Sequence, residues 1–248
     1  MVTLLLLLTL LDDTPKLDIA PLATTKEMQR WAEHAAVGTS PTLRWQRLGV
    51  ALTHDLRLAE TPLRTPTAHE AFTSRQVNCV GFAHLAVALA RSVGIDAYFV
   101  LVEIDPRTIE AGDLRVVEQH LAAGFGRGAA ASTLDLDGWR LAERGDRPIS
   151  DRTARAIFLS NRGAELLLAD APDEARTWLR AAIDVDPSLV QTWVNLGVAE
   201  RRSGRPRLAA LAYYLALLRE PQTASARGNL AVLRGRSPTL ADELGTLP

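Results

Sequence analysis

Residues of matching type recur at one fixed interval in the last third of the chain, and that interval limits the fold more than any other feature of the sequence. Asn161-Arg162-Gly163, Asn195-Leu196-Gly197 and Asn229-Leu230-Ala231 stand 34 residues apart, as do Ala175 and Ala209, Leu179 and Tyr213, Ala182 and Ala216, and Pro187 and Pro221. These registers agree without an insertion. A period of this size marks a stack of small supersecondary units, each too small to bury its apolar face alone. The residue types fit helix pairs: small side chains at Gly163, Gly197, Ala175 and Ala209 where helices touch, apolar or aromatic ones at Leu179 and Tyr213, and a helix-stopping proline before the next unit.

The pattern resembles the tetratricopeptide repeat, with Trp193, Leu196, Gly197, Ala209, Ala216 and Pro221 closest to its signature. The resemblance implies an all-α solenoid over 151–248, with repeats at about 156–189 and 190–223 and a closing helix at 224–236. It also implies a module that holds a peptide or protein partner. Asn161, Asn195 and Asn229 would sit on the first helix of each repeat, facing a concave groove, with Arg201 and Arg202 adding charge. The competing role for this asparagine is to satisfy backbone groups between repeats.

The 248 residues, 47% of them hydrophobic, have room for a second domain. With 28 basic against 29 acidic residues there is no surplus of positive charge, which argues against a nucleic-acid partner. Val2 to Leu11 is leucine-rich and stops at Asp12-Asp13. Ten residues fall short of the roughly twenty that a membrane-spanning helix needs, so no integral span is expected. The segment 1–18 reads either as a docked piece of the fold or as the remnant of an export signal, and the second reading would place the protein outside the cytoplasm.

Between these ends the caps predict helices. Thr24 and Glu27 open one that runs to Gly38, Ser40-Pro41 another reaching about Arg57, and Thr67 with Glu70 a short third. From Cys79 to Val93 almost every face is apolar, which predicts a buried central helix stopped by Gly94. Ala97 to Val102 follows as a buried strand, and His120 to Leu136 as a hairpin turning near Gly126-Arg127-Gly128. Trp139 to Asp151 reads as a short polar connection.

A reactive cysteine requires a lowered pKa, a base within reach and a group that orients the base. Cys79 is the single cysteine and opens the central helix, where unpaired N–H groups and the helix dipole favour a thiolate. In a regular hairpin His120 and Asp135 face each other directly, and the carboxylate fixes one tautomer of the imidazole. Asp137 ranks behind Asp135 because it would oppose Glu118. The alternative for Cys79 is a small buried hydrophobe. His84 reads as a satisfied core histidine, and no zinc spacing or cofactor motif is present in the sequence.

A cysteine opening a buried helix, then a strand, then His and Asp on adjacent strands, is similar to the transglutaminase-like superfamily within the papain-like fold. The stretches Arg64 to Ala68, Asn78 to Ala83, Ala88 to Arg91 and Gly94 to Tyr98 look like bacterial proteins that join such a domain to tetratricopeptide repeats. The departures are Val77, where the motif usually has glycine, and Val80-Gly81 after the cysteine. The resemblance implies an α+β domain over 19–150, with Cys79 as nucleophile, His120 as base and Asp135 as its orienter. Gln76 or Asn78 would help the Cys79 N–H hold an oxyanion. Function is then peptide or isopeptide amide hydrolysis, or acyl transfer; the rival is a non-catalytic adaptor that binds partners through its repeats.

Overall fold

The computed structural model describes residues 17–61, 64–102, 108–111, 114–117, 120–128, 131–141 and 145–236. The leucine-rich segment Val2 to Leu11 lies outside them. The chain divides into two compact units, one formed by Asp18–Pro106 with Gln119–Phe158 and the other by the remainder, centred on the helical run after Leu159.

The first unit is α+β and opens with helices α1 (Lys26–Ala35) and α2 (Pro41–Val50), the latter continued by a π turn at Ala51–Asp55. The cap of α1 is Thr25, which accepts from the Met28 N–H at 3.2 Å, and not Thr24 as expected. Both threonines are suitable caps, and one-residue ambiguity is normal at helix ends. Helix α3 (Ala68–Ser74) has the expected capping box between Thr67 and Glu70. The central helix α4 (Cys79–Ser92) is buried from Val80 through Ala90 without a break, and Gly94 follows it at φ 75°. An amphipathic helix would show a stripe; burial on every side accounts for the uninterrupted apolar sequence.

Two short strands, β1 (Ala59–Glu60) and β2 (Gln76–Val77), pair in parallel just ahead of α4. The main sheet has five antiparallel strands in the order β8-β7-β6-β3-β9, from β3 (Tyr98–Val102), β6 (His120–Phe125), β7 (Ser132–Asp135), β8 (Gly138–Leu141) and β9 (Arg147–Ile149). Helix α4 packs on β3, β6 and β7, with the His84 and Phe99 rings 4.8 Å apart. On the other side of β3, Val100 and Val102 cluster with Ala122. Gly124 is required here, because a β-carbon would stand 2.5 Å from the Tyr98 ring.

The connection expected from Trp139 to Asp151 instead contributes both edge strands of the sheet, β8 and β9. Short, charged strands with little apolar alternation give a weak strand signal, and Pro148 is tolerated because β9 is an edge.

In the second unit a separate hairpin, β4 (Thr108–Ala111) with β5 (Leu114–Val117), accompanies the helices. The helical run consists of α5 (Asp151–Leu168), α6 (Pro172–Val185), α7 (Val190–Arg202), α8 (Pro206–Arg219) and α9 (Ala224–Arg236). The opening turns of α5, up to Phe158, belong to the first unit, where Arg91 makes two bonds of 2.6 and 3.0 Å to Asp151. Two glycines are close contacts between paired helices: a β-carbon at Gly163 would stand 2.6 Å from Leu179, and one at Gly197 2.3 Å from Tyr213. The sequence interval therefore recurs as a repeated packing contact.

Candidate active site

The site begins with how the amino end of α4 is fixed. Asn78 caps the helix by accepting from the Gly81 N–H at 2.8 Å, and its amide donates to Thr65 Oγ1 at 2.8 Å. Thr65 is fully buried. A capping side chain bonded at both ends ties the loop before α3 to the first turn of α4. Gly81 completes the join, because a β-carbon there would lie 2.5 Å from Pro66. The glycine after Cys79-Val80 is thus explained by packing. Cys79 occupies the first helical position, half-buried, on the end of the helix whose dipole favours negative charge.

His120 enters from the start of β6, opposite Val102. Its Nε2 lies 3.1 Å from Asp135 Oδ2, and its ring also hydrogen-bonds the Cys79 side chain. With Nε2 committed to the carboxylate, Nδ1 is the ring nitrogen left for the sulfur. The bond to Asp135, then the bond to Cys79, raise the His120 pKa from 6.5 to about 9 against the opposing effect of burial. The imidazole is therefore cationic at neutral pH.

His120 and Asp135 are not direct cross-strand partners, as a hairpin centred on Arg127-Gly128 would make them. The ladder pairs Ala123 with Leu134 and Phe125 with Ser132, so Asp135 stands in register with Ala122, two residues beyond His120. The carboxylate reaches the ring diagonally, within the range of such neighbours on one face. What aims it is the next turn. Asp135 pairs with Gly138 across the two residues Leu136 and Asp137, and the Asp137 N–H donates to Asp135 Oδ1 at 3.0 Å. Both carboxylate oxygens are engaged, and the side chain is only 9% exposed. The Asp-Gly pair at 137–138 signals a hairpin in this stretch from sequence, one residue along from the observed turn at Leu136 and Asp137.

His84 is fully buried between Phe99 and Phe158 and donates from Nδ1 to the Val80 carbonyl at 2.8 Å. Burial pushes its pKa down to about 4, so it is neutral and takes no part with Cys79. Gln76 is exposed on β2 and lines a cleft with Arg64, Pro66 and Glu70. No group of three or more His, Cys, Asp or Glu side chains suited to a metal ion occurs among the described residues.

Of the residues expected to contact a partner, Asn161 is half-buried on α5, while Asn195 on α7 and Asn229 on α9 are buried. Asn195 accepts from Gln191 Nε2 at 3.2 Å, and Arg202 donates to the Leu167 carbonyl at 2.6 Å, satisfying the end of α5. Arg201 lies beside it in the last turn of α7.

Comparison with known families bears on the first unit. Residues 24–139 match the transglutaminase-like superfamily. The matched span of this transglutaminase-like domain contains Cys79, His120 and Asp135. No curated protein and no solved structure matches the chain. Among the described residues no helix is long and apolar enough to cross a membrane.

Proposed function

We propose that the transglutaminase-like domain is a thiol enzyme acting on an amide or isopeptide bond of a peptide or protein. The observation that carries this reading is His120, hydrogen-bonded on one side to Asp135 and on the other to Cys79. In the reaction the Cys79 sulfur attacks the carbonyl carbon and His120 holds the thiol proton. The resulting oxyanion faces the N–H groups at the start of α4, since the Asn78 amide is taken up by Thr65 and Gln76 lines the cleft beside Arg64 and Glu70. His120 then passes its proton to the departing amine, leaving a thioester. Water completes hydrolysis, or a second amine completes acyl transfer, with His120 taking the incoming proton. Asp135 holds the ring in one orientation and balances its charge throughout.

The helical run is, in the same reading, a tetratricopeptide-like module of two repeats and a closing helix that binds a peptide or protein. The 34-residue interval and the repeated contacts Gly163 with Leu179 and Gly197 with Tyr213 support it.

The test is the alkylation rate of Cys79 by iodoacetamide across pH, in the intact chain and in His120→Ala. Fast alkylation at pH 6 to 7 that slows in the variant is expected, together with a covalent adduct on Cys79 trapped from a cell extract. Equal rates in the two proteins would reduce the domain to a binding platform.

A further inference from the structure

We propose that a cleft next to the Cys79 helix, walled by Arg64, Pro66, His69, Glu70, Ser74 and Gln76, receives a carboxylate of the substrate. The ligand is an aspartate or glutamate side chain near the scissile amide, so that acidic peptides are preferred; this rests on the thiol-enzyme reading above. The cleft holds about 290 Å³. That is close to the lower end of small-ligand pockets, ~300 Å³, and suits one side chain rather than a cofactor.

Its position follows from the chain. Gln76 precedes Cys79 by three residues, about 10 Å at the rise of an extended strand, and Pro66 abuts Gly81 in the first turn of α4. A substrate whose carbonyl lies at the sulfur would therefore place a residue two or three positions away in the cleft.

The chemistry of the walls selects an acceptor. Glu70 is already spoken for: Oε1 accepts from Arg64 at 2.6 Å and Oε2 from the Thr67 N–H at 2.8 Å. Although burial raises its pKa, the Thr67 and Arg64 partners outweigh that and hold it low, so it stays an anion paired in place. Arg64 has five N–H donors and the ion pair with Glu70 uses one, while the Gln76 amide and the His69 ring supply more. Ser74 Oγ accepts from the Gln76 N–H, which leaves its hydroxyl proton to donate. Donors thus exceed acceptors around the cleft, and a planar carboxylate can take two from one guanidinium.

The experiment uses the full chain and three peptides identical except for Glu, Gln or Lys two or three residues from the cleaved amide. The Glu peptide should exceed the Gln peptide in kcat/KM by about tenfold, the scale of one charge-assisted hydrogen bond in a partly exposed site. In Arg64→Met the ratio should fall to about one. The Arg64–Glu70 pair is largely exposed, at 58% and 40%, so its loss leaves folding intact. A ratio near one in the unmodified protein, an unchanged ratio in the variant, or preference for Lys would overturn the assignment. Should no peptide be turned over and Cys79 be alkylated equally fast in the intact chain and in His120→Ala, the thiol-enzyme reading fails by itself. The cleft is then judged in Cys79→Ala by the NMR shifts of Gln76 and His69 with N-acetylglutamate amide. Shifts that Arg64→Met abolishes sustain the carboxylate site, and absent shifts refute it.

Discussion

Replacing Asp135 by Asn keeps the shape of the residue beside His120 and removes its charge, which isolates the largest contribution to the imidazole's basicity. The His120 pKa of about 9 lies about 2.5 units above the ordinary 6.5. At 1.36 kcal/mol per unit this corresponds to about 3 kcal/mol favouring the folded protein with a protonated ring. The ring is sheltered enough, at 21% side-chain exposure, for that conversion to hold to order of magnitude. The sign follows from the folded value lying above the unfolded one: the stabilisation is complete below pH 6.5 and is lost as pH rises through about 9. In Asp135→Asn the His120 pKa should fall by roughly a unit or more, and stability near pH 6 should fall with it. The assay is NMR titration of ¹³C,¹⁵N-labelled histidine rings, where His120 is one of five signals and His84 is set apart by a value near 4. A His120 that titrates at or below 6.5 in the unmodified protein would refute the reasoning, as would one that Asp135→Asn leaves unmoved.

The buried neutral His84 acts in the opposite direction: with its folded pKa near 4 and the unfolded one near 6.5, stability is full above 6.5 and declines on acidification. Urea unfolding of His84→Gln should show a flatter acid limb between pH 6.5 and 4, and an unchanged limb would contradict the assignment. Asn78→Ala removes the cap of α4 and the partner of buried Thr65, a loss of about 1–3 kcal/mol that should lower the denaturant midpoint and slow Cys79 alkylation. Gly197→Ala drives a methyl into the Tyr213 ring and should cost about 1–3 kcal/mol by thermal unfolding, whereas neutrality would place the ring elsewhere.

The elements that sequence showed best were those where local chemistry and packing agree. The α4 helix carried an apolar residue on almost every face and a glycine stop at Gly94, and both survive in the structure, whereas the cap at Asn78 emerged only there. The helical run was visible because the same contact is made twice, and Gly163 and Gly197 must both stay small to make it. Strands β8 and β9 were hidden because edge strands bury too little to need an apolar pattern. The approach of His120 and Asp135 was legible as a pair, but not its geometry. Register depends on where the chain turns, and two glycines, Gly126 at φ 85° and Gly128 at φ 58°, offered more than one place to do so.

The two-residue turn after Asp135 has a consequence for how the site tolerates change. The carboxylate is steadied by a main-chain N–H, so any residue other than proline at 137 preserves the steadying. Position 138 has no such latitude, since its φ of 111° is open to glycine and strained for any other residue. Inheritance of the His120 partner is therefore written in two letters of sequence, Asp135 and Gly138. Drift at the second, which touches neither the sulfur nor the ring, can silence the site as surely as loss of the first.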